Sequence, residues 1–250
     1  MKHLTLFSLF LVVPVLAAAS FNADHPEASK GGSVAGTCTL VLGEDEELPE
    51  LEEIVMDKDT EVCVHDGGNT VQARDLLVDP KTLAVTNVYV SIEKVKDGLE
   101  LEVPEEPLVL DQVACRFEPH ISVVPAGQTV RFANSDDATH NVSLTARKNN
   151  TFNEGIPAAK HKDWVFKKSE KVEITCTIHP WMKAYLVVTE HPYYALTLKD
   201  GKFRIDGLPA GEWQIRAWHE RFGSFYKEKV TVAEGAVAEV NIDVQEKKKR

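Results

Sequence analysis

Hydrophobic and polar positions alternate along this chain in short runs separated by turn residues. Val88, Val90 and Ile92 share one face, and Tyr89 and Ser91 the other. That two-residue period is the signature of a half-buried strand. Thr37–Leu42 alternates in the same way, and Leu76–Val78 and Asn87–Ile92 flank an Asp79-Pro80-Lys81 turn. Further on, Val113–Val124 reads as one long strand interrupted at Pro119, followed by the turn Pro125-Ala126-Gly127 and a strand over Gln128–Ala133. Asn134–Thr139 is a polar loop, Asn141–Ala146 a strand and Lys148–Asp163 an irregular excursion. Trp164–Phe166, Lys171–Cys176 and Ala184–Thr189 continue the rhythm. Past Glu190, Asp200-Gly201 marks a hairpin turn. Strands follow over Phe203–Ile205, Glu212–Trp218, Lys227–Val232 and Val237–Val244. The pattern is all-β. One exception is Glu44–Glu61, an acidic stretch around Pro49 that reads as a solvated loop or short helix.

Composition is that of a folded globular chain: 43% hydrophobic and 27% charged residues, over 250 residues that allow one large or two small domains. The net charge of −11 argues against nucleic acid or anionic membrane as partner, since both demand basic surfaces. Residues 1–19 read as a signal peptide: Lys2, an apolar run from Leu4 to Leu16, then Ala17-Ala18-Ala19. No stretch is long enough for a comfortable membrane span. The chain is expected to be exported, to a periplasm or beyond, with 20–35 as a flexible lead-in.

The candidate chemistry centres on Cys176-Thr177-Ile178-His179-Pro180-Trp181-Met182. It offers a thiolate, an imidazole and a thioether at a spacing of three, and His140-Asn141 upstream supplies a second imidazole. Two His, one Cys and a weak axial Met form the ligand set of a type 1, or blue, copper site, and a zinc site rarely recruits a Met. The plainer alternative is a buried Cys and Met in a hairpin beside a satisfied His. Four Cys are present, at 38, 63, 115 and 176. If Cys176 binds metal, at most one intramolecular disulfide forms and one thiol is left over. Cys63–Cys115 is the first choice, because each lies near a domain junction, and Cys38–Cys63 competes.

Residues from about Val109 to Thr189 resemble a cupredoxin, with a ligand loop closest to amicyanin. The resemblance rests on Cys176, His179, Pro180, Trp181 and Met182, and on the run His140-Asn141-Val142. It implies a Greek-key β-sandwich holding one copper through His140, Cys176 and His179, with Met182 axial. It also implies that Asn141 bonds near the Cys sulfur and ties the two ligand loops together. Pro180 and Trp181 are expected to form an apolar rim for a docking partner.

The run Asp200-Gly201…Phe203…Ile205…Gly207-Leu208-Pro209…Gly211…Ile215…Ala217-Trp218 resembles carboxypeptidase-regulatory-like (transthyretin- or prealbumin-like) sandwiches. Such domains open with strands like Thr37–Leu42 and Asn87–Ile92. Residues 36–106 and 190–250 are therefore expected to form one discontinuous sandwich, with the cupredoxin-like segment 107–189 inserted. Two domains in tandem is the alternative, although neither flank alone has enough strands to close a core.

Catalysis is not expected: the nine His include no His-x-His pair from which further copper centres are built. No nucleophilic triad or phosphate loop stands out. The expected function is single-electron transfer to a partner protein. The alternatives are copper storage or delivery, and a structural or carbohydrate-binding sandwich.

Overall fold

A computed structural model describes residues 31–64, 68–95 and 101–245, and the signal-like stretch 1–19 falls outside these residues. No described helix is long and apolar enough to cross a membrane. The chain order is β1 (Gly32–Leu40), β2 (Glu53–Val55), α1 (Thr60–Cys63), β3 (Thr70–Gln72) and β4 (Tyr89–Glu93). Then come β5 (Leu108–Val113), β6 (Arg116–Glu118), β7 (Ile121–Pro125), β8 (Thr129–Asn134) and β9 (His140–Thr145). β10 (Asn153–Ile156), β11 (His161–Val165), β12 (Glu170–Thr175) and β13 (Lys183–Thr189) follow. The chain finishes with β14 (Tyr194–Leu196), β15 (Lys202–Leu208), β16 (Gly211–His219), β17 (Gly223–Val232), β18 (Val237–Glu239) and β19 (Ile242–Val244). The fold is all-β.

Alternation decides which face is buried. On β15, Phe203 and Ile205 point inward and Lys202, Arg204 and Asp206 outward. On β8, Val130 and Phe132 are inward between Thr129, Arg131 and Ala133. Two apolar cores result. The first is built by β1 and β4 together with β15 and β16, through Val34, Leu40, Val90, Ile92, Phe203, Ile205 and Ile215. β1 pairs antiparallel with β15 on one side; on the other it pairs in parallel with β18 and then β19. Gly36 lies where the chain crosses between those last two strands. A Cβ there would sit 1.8 Å from the Val240 carbonyl oxygen, so only glycine fits. The facing sheet runs β14-β4-β16-β17.

The second core lies between the sheets β10-β9-β12-β13-β7 and β11-β8-β5-β6, and is filled by Leu110, Phe117, Phe132, Val172, Ile174 and Leu186. The two sandwiches touch. Tyr185 of β13 packs edge-on against Trp218 of β16 at 5.4 Å, and His120 pairs with Glu220 in a buried contact. This explains why Val187, on the outer face of β13, is buried as well.

Several sequence expectations are corrected. β1 begins at Gly32, inside the expected lead-in. The span Val113–Val124 is not one strand: the chain reverses at Ala114-Cys115, both left-handed (φ 53° and 52°), and past the cis Glu118–Pro119 bond it passes from one sheet to the other as β7. Lys148–Asp163 contains β10 and the start of β11, edge strands too polar to show an apolar stripe. The Asp200-Gly201 turn forms, with Gly201 at φ 69°, but it joins strands of opposite sheets rather than a hairpin. Leu76–Val78 makes a single bridge, Val78 to Val85. Residues 53–64 are not merely a solvated acidic face. Met56 and Cys63 are buried in the second core, with Val62, Val64 and Val71 packed against it, whereas Leu51 and Leu76 on either side serve the first.

Candidate metal centre

Two loops from facing ends of β9 and β12 meet at the edge of the second core. His140 opens β9, and Cys176 directly follows β12. The 176–182 loop is closed by its own backbone: the Cys176 N–H donates to the Met182 carbonyl (3.1 Å) and the Met182 N–H to the His179 carbonyl (2.9 Å). That turn brings His179 back over Cys176. The His140 and His179 Nδ1 atoms lie 2.8 Å apart, and the Cys176 Sγ is 3.8 Å from His179 Nδ1. His140, Cys176 and His179 together form a cluster able to hold a metal ion, and all three are buried. Met182 is buried in the same core.

The surroundings fix the chemical state of each donor. The backbone N–H groups of Asn141 (3.4 Å) and His179 (3.3 Å) both donate to the Cys176 sulfur and fix its position. His140 Nε2 faces the Asp136 carboxylate at 2.8 Å, and His179 Nε2 faces that of Asp59 at 2.8 Å. Ionised carboxylates only accept, so each Nε2 carries the proton and each Nδ1 is left with a lone pair. Two lone pairs then point at one another across 2.8 Å with the Cys176 sulfur alongside. A cation between them relieves that repulsion. Burial holds the His140 imidazole below its ordinary pKa, against the opposing pull of Asp136. Carboxylate-backed imidazoles are also the usual support of a metal site, since the carboxylate fixes ring orientation and raises ligand basicity. The residues present fit a soft, nitrogen- and sulfur-ligated metal.

Asn141 ties the two loops together by its side chain. Its Oδ1 accepts from the Thr177 N–H and, at 2.9 Å, from the Thr177 hydroxyl, and its Nδ2 donates to Asn153. The bond to sulfur comes from its backbone. Pro180 is exposed, whereas Trp181 turns inward: its indole N–H donates to the Cys115 carbonyl (3.1 Å) and its ring lies 5.2 Å from that of His179. Cys63 and Cys115 form a disulfide with a Cα–Cα distance of 5.1 Å. Cys38 is the leftover thiol, buried in the first core and pushed up to about 12 by that burial, so it stays protonated and inert.

Two functional residues were missed by sequence reasoning. Asp136 stands four residues before His140 in the loop 134–139, a local signal that was available. Asp59 lies 120 residues from His179 and has no local signal at all.

Residues 179–245 match the model of the carboxypeptidase regulatory-like domain, a range that takes in the last ligand-loop residues and β13. No curated protein matches the chain. Among solved structures, a copper-containing nitrite reductase from Thermus scotoductus SA-01 is similar at 24% identity and TM-score 0.33 over 38% of this chain. The match spans only 25% of that enzyme's length. A purple cupredoxin from Nitrosopumilus maritimus matches at 20% identity and TM-score 0.29, over 33% of this chain and 99% of its own. A reduced Cu(I) form of an amicyanin mutant matches at 22% identity and TM-score 0.32, over 40% and 98% respectively. The chain thus joins a segment similar to cupredoxins to one similar to carboxypeptidase regulatory-like domains.

Proposed function

We propose that this protein is an exported single-electron carrier built on one type 1 copper, with His140, Cys176 and His179 as the close ligands and Met182 as the axial one. The observation that carries the reading is the pair of carboxylate-backed imidazoles whose Nδ1 lone pairs converge at 2.8 Å beside an amide-bonded sulfur. Copper bound there would supply a one-electron couple matched to thiolate, imidazole and thioether donors. The chain's own residues hold the donors still. Asp136 and Asp59 orient the two rings, the Asn141 and His179 amides orient the sulfur, and the Asn141 side chain locks one loop to the other. A site whose ligands are held in this way changes shape little with oxidation state, which favours rapid electron exchange. All four ligands are at least 98% buried, which excludes water and leaves no place for a substrate.

The copper-binding sandwich is inserted in the regulatory-like one, the flanks 36–106 and 190–250 being joined through the pairings of β1 with β15 and β4 with β16. Met56, Val62, Cys63, Val64 and Val71 are the exception, packing on the inserted partner. The partner is a redox protein of the exported compartment. To separate a carrier from a storage or delivery protein, the copper-loaded form is cycled between oxidant and reductant with excess Cu(I) chelator present. A carrier completes many cycles and retains its metal. Transfer of most of the copper to the chelator in the first reduction would overturn the reading.

A further inference from the structure

Both carboxylates that back the imidazoles hang from one covalent link. On one side, the Cys115 N–H donates to Asp136 Oδ2 (2.8 Å), the oxygen that faces His140 Nε2. On the other, Cys63 closes the short helix that begins after Asp59: the Asp59 carbonyl accepts from the N–H groups of Val62 (2.9 Å) and Cys63 (2.8 Å). The Cys63–Cys115 bond therefore fixes where Asp59 stands relative to the ligand loop. Among the described residues β2 and β3 pair only with each other, and Met56 and Val71 rest on the second core together with Val62 and Val64 beside Cys63. Asp59 itself adopts a left-handed backbone (φ 45°), uncommon for a residue with a side chain, and this turn aims its carboxylate at His179.

Asp59 also occupies the boundary with solvent. Its side chain is 42% exposed while that of His179 behind it is 0% exposed. The carboxylate is thus what stands between the imidazole edge and water.

We propose that Asp59 is a positioning residue for His179. Presented by the disulfide-stapled segment Glu53–Val64, it holds the ring in the Nε2–H tautomer and covers its outer edge. A redox partner then has to approach the site elsewhere than through His179. The inference rests on the electron-transfer reading for its consequence, but its geometry concerns the protein without metal.

The test uses the full-length metal-free protein labelled with nitrogen-15, in which imidazole nitrogen shifts report the tautomer and the Nε2–H signal reports exchange with water. Three variants are compared with the parent: Asp59→Ala, Asp59→Asn and the double variant Cys63→Ala with Cys115→Ala. The parent is expected to show one His179 tautomer with a slowly exchanging Nε2–H. Asp59→Ala should mix the tautomers and speed that exchange about tenfold or more, as the bond to the charged acceptor is lost. Asp59→Asn should restore the tautomer, since its carboxamide oxygen still accepts. The double variant should behave like Asp59→Ala at His179. In copper-loaded protein, exchange with a small anionic oxidant should be faster in Asp59→Ala than in the parent. An unchanged His179 tautomer and exchange rate in Asp59→Ala would overturn the proposal. Failure of the parent to bind copper, with the nitrogen shifts as expected, would instead overturn the electron-transfer reading and leave the hold of Asp59 on His179 standing.

Discussion

Replacing Asp136 should cost substantial stability in the sandwich built around the second core. Its carboxylate accepts from the Ala114 N–H (2.7 Å), the Cys115 N–H (2.8 Å) and His140 Nε2 (2.8 Å). The first two amides belong to a two-residue hairpin whose central residues are both left-handed, yet neither is the glycine or asparagine that such turns favour. The carboxylate stabilises a backbone that those residues would otherwise avoid. In Asp136→Ala, the fully buried Cys115 N–H loses its acceptor with no water to replace it, at about 1–3 kcal/mol. Ala114 is only half-buried, so its amide can rehydrate at smaller cost. Allowing about 1 kcal/mol for that amide and the His140 contact, the total is about 3 kcal/mol. Asp136→Asn should lose roughly half as much, because one carboxamide oxygen replaces two acceptors and its NH₂ group faces a donor. The assay is urea unfolding of the metal-free protein, followed by tryptophan fluorescence. A loss below about 1 kcal/mol in Asp136→Ala would refute the idea that this carboxylate holds the turn.

Removing the disulfide with Cys63→Ala and Cys115→Ala should cost about 4 kcal/mol by unfolded-state entropy alone, given a sequence separation of 52; equal urea midpoints for parent and variant would contradict this. His219 is held down to about 4 by burial, the carboxylate of Glu220 only partly opposing it. The unfolded chain therefore binds a proton there first. Stability is undiminished above about 6.5 and falls as pH drops from there towards 4, by about 3 kcal/mol from this residue. Urea midpoints measured across that range should slope less steeply in His219→Gln than in the parent. Gly36→Ala pushes a methyl into the Val240 carbonyl and should cost about 3 kcal/mol, read as a lowered melting temperature.

What the sequence revealed tracks how local each signal is. Cys176, His179 and Met182 share one seven-residue loop, and His140 sits in a His-Asn-Val run, so their convergence could be inferred without a structure. Strands with one buried face, such as β8 and β15, were visible because alternation is a property of neighbours along the chain. The Ala114-Cys115 reversal was hidden, because its left-handed backbone is held by Asp136 from another loop and not by turn residues of its own. Asp59 was hidden for the same reason. Its role depends on a disulfide and a ring 120 residues away, while its neighbours read simply as an acidic surface. The inward turn of Trp181 follows from the Cys115 carbonyl, which likewise belongs to that unforeseen hairpin.

The central claim is tested most directly by the visible absorption spectrum of the mature protein after addition of one equivalent of Cu(II), with Cys176→Ser in parallel. The account predicts an intense thiolate-to-copper band that reductant bleaches, oxidant restores and the serine variant lacks. A folded protein that shows no such band, with its Cys176 thiol still free to react, would contradict it.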